Sequence, residues 1–492
     1  MENKSSYKQI MKATSLFGGV QVFNILIAII RSKVIAVLLG PAGMGIAGLL
    51  SSTTGLVQGL TNFGLGTSAV RDISAANESG DDRRIGKVTT VFRRLVWITG
   101  LLGTIITFFL APWLSEFTFG NREYTTAFMW LSATLLLNQL ASGQKVILQG
   151  TRKLKFLAKA NLLGSIIGLL LSVPLYYFKG IDGIVPALIL TSIASFLIAL
   201  YFSSKVKIAN MVVNKDETIE EGKGMLKMGF MLSLSGLITM GASYIIRIYI
   251  SNSGGVEDVG LYNAGFAIIG TYVGLVFTAM GTDYYPRLSG IAHDNQKAKS
   301  LINQQSEIAI LILSPILIIF ITFISWIIVL LYSTKFIPIN NMIQWAALGM
   351  FFKAVGWSMA FILLAKGNSK LFFLNELIAN IYVLGLSLLG YFLYGLDGLG
   401  ISFLISYVLY AIQVYFLTKG KYQFGFDLAF LKIFGIQFML GLSCFVAVQF
   451  LIAPYTYMVG VPLIIFSIRY SIIELDKRLE LKTLINKYKN RP

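Results

Sequence analysis

Fourteen stretches of roughly 20 mostly apolar residues recur along this chain, the length a helix needs to cross ~30 Å of hydrocarbon. They run near 17–39, 45–70, 95–117, 125–148, 156–178, 183–202, 228–250, 259–281, 308–331, 343–365, 372–394, 398–418, 430–452 and 456–474. Lipid offers no partner to an unpaired backbone group, so each run is predicted to be a helix and the chain an all-α membrane protein. Composition agrees. Of 492 residues 55% are hydrophobic and only 13% charged, against roughly 25% charged in soluble domains. No short apolar segment with a small-residue cleavage site follows Lys4, Lys8 and Lys12, so the first run is expected to be kept as a span.

The net charge of +18 comes from 41 Lys and Arg against 23 Asp and Glu. With the N-terminus set in the cytoplasm, and residues near a span's inner end counted with the adjoining loop, the outer loops hold only Arg122, Lys179 and Lys335. The inner segments hold the great majority, as the positive-inside pattern requires, and both termini are expected in the cytoplasm. A basic face against anionic lipid therefore absorbs most of the charge, and nucleic acid is not an expected partner. The single Cys, Cys444, and the single His, His293, lie far apart, which leaves no disulfide framework or zinc cluster to build. No metal, cofactor or catalytic residue is expected.

The chain also repeats itself at an offset of 215 to 217 residues. Arg31 matches Arg247, Gly66-Thr67 and Ser74 match Gly281-Thr282 and Ser289, and Gly150, Lys153 and Leu154 match Gly367, Lys370 and Leu371. Gly180-Ile181-Asp182-Gly183-Ile184 is echoed by Gly395-Leu396-Asp397-Gly398-Leu399. Each match alone is weak, but their common offset points to duplication of a six-span unit. An even number of spans returns the chain to its starting side, so the two lobes are expected to be parallel and to enclose a cleft. The predicted division is an N-terminal lobe over 1–204, a flexible cytoplasmic linker over 205–227, a C-terminal lobe over 228–420, and two extra helices with a basic tail over 421–492.

The Gly40-Pro41-Ala42-Gly43-Met44-Gly45 turn, the Tyr285-Pro286-Arg287-Leu288-Ser289 segment and the twin Gly-x-Asp-Gly turns together resemble the Wzx-type polysaccharide flippases. These belong to the multidrug/oligosaccharidyl-lipid/polysaccharide exporter superfamily. The resemblance implies two six-helix lobes around a central cavity in a bacterial inner membrane. It implies as substrate an undecaprenyl-pyrophosphate-linked oligosaccharide such as an O-antigen unit, a precursor of lipopolysaccharide. It implies as partners membrane lipid, the polysaccharide polymerase and the chain-length machinery. The related peptidoglycan-precursor flippases, with fourteen spans, are the near alternative.

Among the cations inside the spans are Arg31, Lys33, Lys159, Arg247 and Lys353. Each would cost ~2.5 to 3.5 kcal/mol facing lipid at mid-span, so a wet cavity or a partner is expected for the deep ones. Arg31 and Lys353 are the deepest and are candidates to bind pyrophosphate, with a structural pairing as the alternative. Arg247 shares Arg31's place in the repeat but lies near a span end, where snorkelling competes. Lys33 sits roughly 200° round the helix from Arg31, so it joins the candidates on a different face. For Lys159, near a span end, snorkelling is the simpler reading. The surplus of cations favours an anionic ligand, since a phosphate accepts both Arg forks and Lys point charges.

Asn24, Gln58, Asn62, Asn138, Asn263 and Trp357 are candidates to contact sugar, with helix-to-helix hydrogen bonding as the competing role for the amides. Glu376 is the candidate ion-coupling carboxylate, with a loop lysine such as Lys370 as its alternative partner. No Gly-rich phosphate loop is present to bind ATP, so transport would draw on an ion gradient or on consumption of product. A cation-coupled drug antiporter would want more buried acids than these spans offer. A membrane polymerase would want large outer loops or clustered acids, and every outer loop here is short.

Overall fold

The computed structural model describes residues 23–208 and 211–479. Lys4, Lys8 and Lys12, the first residues of the expected first span, and the end of the basic tail lie outside the described residues. Helices are α1 (23–38), α2 (Gly40–Thr61), α3 (Leu65–Glu78), α4 (Asp82–Phe109), α5 (Ala111–Phe119), α6 (Thr125–Gly150), α7 (Leu154–Lys179) and α8 (Ile184–Ser203). They continue with α9 (Lys215–Ala267), α10 (Leu275–Ile291), α11 (Asn295–Leu331), α12 (Asn340–Ala365), α13 (Ser369–Tyr422), α14 (Leu428–Phe450) and α15 (Tyr455–Leu479). A π-helical turn at Ile268–Val273 joins α9 to α10.

Eight helical segments among the described residues are long and apolar enough to cross a membrane. Three of them, broken at Gly180–Gly183, at Gly255 and at Gly395, are each long enough for two crossings. The eight segments therefore account for all the expected spans except the first, second and fourth, which fall on α1, on α2 with α3, and on the 26-residue α6. The protein is an all-α membrane protein of about fourteen transmembrane helices.

Some boundaries differ from the sequence reading. The run 45–70 is not continuous: α2 stops at Thr61, Gly64 takes φ +61°, and α3 starts again at Leu65. The run 95–117 is likewise interrupted at Leu110, ahead of the proline that opens α5. Apolarity is blind to both, because a Gly in the left-handed region and a Pro that lacks an N–H break a helix without lowering hydropathy.

The repeat carries into backbone geometry. Gly180 has φ 58° and ψ −132°, and its counterpart Gly395 has φ 57° and ψ −136°. In the hairpins these residues form, Gly183 packs on the Leu175 carbonyl and Gly398 on the Gly390 carbonyl, the same contact one repeat apart. Asp81 caps α4 by accepting from Arg83 and Arg84 N–H, and Asp294 does the same for Gln296 and Lys297 at the start of α11.

Packing divides the described residues into two compact units, those up to Gly260 with Leu331–Ser333, and Leu261–Leu330 with those from Thr334 to Leu479. In the first unit the ends of α2 and α9 meet through glycine. A Cβ at Gly45 would sit 1.8 Å from the Val256 carbonyl oxygen, and one at Gly260 1.8 Å from that of Pro41. Nearer the α2–α3 break, Gly64 and Gly229 approach backbone to backbone in the same way. Between these contacts the hydroxyls of Thr53, Thr118 and Tyr244 form a buried cluster 2.8 to 3.3 Å apart. Small residues let helices touch closely where lipid supplies no hydrophobic driving force.

The segment 205–227 was expected to be a flexible connection, and the structure corrects this. From Lys215 it forms the first turns of α9, with Asp216 and Glu217 at the helix start where the dipole favours acids. It is clamped to α4: Arg84 Nη1 donates to Glu221 at 2.6 Å, Lys87 Nζ to Glu217 at 2.8 Å, and Arg94 Nη1 to the Val213 carbonyl and Thr218. Gly, Asn, Lys and Glu look like a linker composition, but those charges are complementary to a helix distant in sequence.

Lys87 and Glu217 lie outside the predicted spans and shift each other. Their hydrogen bond holds the Lys87 ammonium above its ordinary 10.5. The same bond, then the Asn214 N–H, holds the Glu217 carboxyl below 4.5. A depressed carboxyl contributes above its unfolded pKa and loses that contribution as pH falls through the folded one; a raised ammonium contributes below its unfolded pKa and loses it as pH rises through the folded one. Hydrogen exchange over 215–227, corrected for intrinsic rate, should therefore be level between 4.5 and 10.5 and rise below 4.5. A profile that is level below 4.5 as well would remove the clamp's ionic part.

In the second unit α12 is the central helix, with Ala347, Met350, Phe351, Ala354, Met359 and Leu363 wholly buried. The returning half of α13 packs on it, Leu404 against Gly349 and Tyr410 against Gly356. α14 docks on the same helix through Phe434 and Phe438, whose rings meet Phe351 and Phe352. α15 is tied to α14 by the buried Gln437, Ser467 and Ser471. Near its end Arg478 reaches Glu307 of α11 at 2.6 Å. The two extra helices are thus built into this unit.

Candidate functional site

The turn at Gly395 sends the second half of α13 back along the first, so residues equidistant from the turn become neighbours. Glu376 Oε1 accepts from the Tyr410 hydroxyl at 2.8 Å and from Asn375 Nδ2 at 3.2 Å. Gln413 Nε2 donates to both the backbone and side-chain oxygens of Asn375. One turn before Tyr410, the ring of Tyr407 meets its edge, and Lys353 of α12 holds its ammonium 4.9 Å from the Tyr407 centroid and 5.6 Å from that of Phe403. Tyr407 and Tyr410 therefore join Lys353 to Glu376, and the amides of Asn375 and Gln413 continue the row beyond Glu376. Glu376 has Tyr410 and Asn375 as partners, and the alternative of Lys370 is not what the structure shows.

Lys353 is half-buried over aromatic faces, which attract an ammonium without neutralising it. Trp357, one turn further along α12, is packed among Phe277, Tyr284 and Phe361, so its ring faces are largely engaged. Asn263 lies half-buried beyond the Gly255 break of α9.

In the first unit Arg31 and Lys33 are both half-buried on α1. Asn24, two turns earlier, accepts from the Ser165 hydroxyl at 3.2 Å and so joins α1 to α7, the helix-to-helix role weighed against sugar contact. Arg247 Nη1 donates to the Ser243 carbonyl one turn back on α9. Gln58 and Asn138 are half-buried on α2 and α6. Asn62 caps the end of α2 and accepts from Gly64 N–H at 2.8 Å, which fixes the break before α3.

Asn62 also lines a cavity of about 360 Å³ inside this unit, with Thr67, Gln139, Ser142 and Ser233 as the other polar side chains. Gln139 is buried and donates to the Thr99 hydroxyl at 3.0 Å. Sequence reasoning chose Asn138 and passed over its neighbour Gln139; one residue is 100° of helix rotation, and only packing says which faces inward. Tyr407, Tyr410 and Gln413 were passed over too, although their spacing of three residues marks one helix face.

The family described as polysaccharide biosynthesis protein matches residues 34–341, more than half of the chain. The chain belongs to that family. Among curated relatives, the "Putative O-antigen transporter" of Shigella flexneri is 25% identical over 388 residues, 77% of this chain and 90% of its own. The Lipid III flippase of Escherichia coli K12 is 20% identical over 354 residues, 70% of this chain and 82% of its own. Two solved structures share the fold of this polysaccharide biosynthesis protein. An inward-facing multidrug resistance MATE family transporter of the MOP superfamily superposes with TM-score 0.70 at 16% identity, covering 83% of this chain and 96% of that one. The lipid II flippase MurJ in an inward closed conformation superposes with TM-score 0.66 at 15% identity, covering 94% and 99%. The superfamily expected from the Gly-Pro and Gly-x-Asp-Gly turns is thus the one whose fold this chain adopts.

Proposed function

We propose that this protein moves an undecaprenyl-pyrophosphate-linked oligosaccharide, an O-antigen repeat or a related polysaccharide unit, from the cytoplasmic to the outer leaflet of a bacterial inner membrane. The observation that carries the reading is the set of half-buried cations, Arg31, Arg247 and Lys353, within the spans of a chain whose relatives are named for O-antigen transport and lipid flipping. A pyrophosphate supplies several oxygens for an Arg fork and a Lys ammonium. The head group is held by these cations while the polyprenyl tail stays in lipid, and alternating access releases it on the other side. The protein makes and breaks no bond in this scheme. Both termini stay on the cytoplasmic side, which the Lys and Arg asymmetry supports, and the polymerase and chain-length machinery take up the product outside.

Glu376 is the coupling carboxylate in this proposal. An ionisable side chain within a span marks an ion pathway by default, and Tyr410 and Asn375 hold this one in place. That same constellation, on a fold shared with multidrug transporters, also supports a second reading, a cation-coupled drug antiporter. Reconstitution separates the two. Vesicles containing the protein and a fluorescent lipid-linked oligosaccharide should show the label crossing to the opposite leaflet faster than in protein-free vesicles, with no proton-driven efflux of cationic dyes. Dye efflux without lipid movement would reverse the choice, and a peptidoglycan-precursor lipid moving in place of the oligosaccharide would shift the substrate.

A further inference from the structure

Beside the cavity of the first unit lies a second, of about 740 Å³, whose lining holds Arg71, Arg84, Lys87, Asp72, Glu220 and Glu221. The 360 Å³ cavity has no ionisable side chain in its lining, although these charges belong to the adjoining turns of α3, α4 and α9. Its polar groups are two amides, Asn62 and Gln139, and three hydroxyls, Thr67, Ser142 and Ser233. Both chemistries donate and accept, which is how a sugar's hydroxyls are matched. Asn62 Oδ1 is already used by Gly64 N–H, which leaves its NH₂ to donate, and Gln139 Nε2 is used by Thr99, which leaves its carbonyl oxygen to accept.

The cavity is small for a ligand site, near the low end of the ~300 to 1,000 Å³ range. That suits one ring, and is too little for an oligosaccharide or a lipid. Its apolar wall, Phe92, Val96, Leu232, Leu237 and Met240, offers a face to the C–H side of a pyranose. Gly236 on the lining is exposed and a Cβ there would meet nothing within 4 Å, so a larger side chain at this position has room to grow into the space. An acidic sugar placed here would find no cationic side chain in the lining to pair its carboxylate.

We propose that this cavity recognises a single uncharged sugar residue, a neutral or N-acetylated pyranose, of the lipid-linked substrate. The inference rests on the flippase reading and adds to it a substrate class and a location. The pyrophosphate is handled by cations, and the sugar is sorted by a pocket from which charge is excluded.

The test is equilibrium binding of three synthetic probes to the full chain in detergent: a short polyprenyl pyrophosphate bare, capped with N-acetylglucosamine, or capped with glucuronic acid. The N-acetylglucosamine probe should bind about tenfold tighter than either of the others, the return of one net hydrogen bond. Gly236→Phe should erase that preference and leave bare-lipid binding unchanged. Gly164→Phe, on α7 and equally open around its Cβ, should bind all three as the parent does. Should Gly236→Phe fail to fold, Ser142→Leu at the exposed rim closes the same space. Bare lipid binding with no gain from the sugar, equal binding of the glucuronate probe, or a preference that survives both fillings overturns the inference alone. A chain that binds none of the probes overturns the flippase reading with it.

Discussion

Replacing Arg31 and Lys353 together by Ala is expected to lower the rate of lipid-linked oligosaccharide movement by at least about 100-fold. A hydrogen bond to a charged group contributes ~1.5 to 3 kcal/mol, and two such groups on separate elements, if independent, sum to ~3 to 6 kcal/mol, or 10² to 10⁴ in rate. The opposing account is structural. Lys353 lies over Tyr407 and Phe403, a contact of ~0.5 to 2 kcal/mol that Ala also removes. Melting temperature of the purified variants separates the two. If Lys353 serves packing alone, Lys353→Met, which keeps the stem, should transport as the parent does; if it meets the phosphate, Met should be as damaging as Ala. Arg31→Lys should recover part of the rate, since a point charge survives but the planar fork does not. A double variant that transports normally would end the assignment of these cations to the substrate.

The second large effect is on stability. Gly45→Val and Gly260→Val should each lower the melting temperature markedly, because the new Cβ would meet a backbone carbonyl oxygen at 1.8 Å and no rotamer relieves that. Overpacking typically costs ~1 to 3 kcal/mol, and contact with backbone on both sides places these at the upper end or beyond. Gly45 and Gly260 belong to one contact, so the double variant should cost clearly less than the sum of the singles: once the helices have parted, the second methyl group finds room. Gly241→Val, on the same helix with nothing within 4 Å of its Cβ, should melt near the parent temperature. Strict additivity of the pair, or a normal melt for either single variant, would mean that α2 and α9 do not meet here.

Much of the architecture was legible along the chain. Hydropathy reports the one quantity a bilayer selects strongly, the apolar length of a helix, and it located the spans that α4, α7 to α9 and α11 to α15 supply. The Gly180 and Gly395 turns were legible for a different reason: only glycine takes φ near +58° with ψ near −134° without strain, so both copies had to keep it. What failed was anything whose cause lay off the segment. The linker was misread because Glu217 and Glu221 find their partners on α4, more than 120 residues earlier.

The candidate site divides the same way. The sequence alone located the buried cations and Glu376, because an ionisable residue in an apolar run is costly wherever it points, and the cost is visible without coordinates. Which group each one meets was decided by tertiary structure. Glu376 is joined to Tyr410 by the hairpin at Gly395, Lys353 to Tyr407 by the packing of α13 on α12, and Gln139 rather than Asn138 is turned into the cavity by the rotation of α6. Transfer from water to lipid depends on composition, which a chain carries in its order; a partner depends on distance and direction, which exist only once the helices have packed.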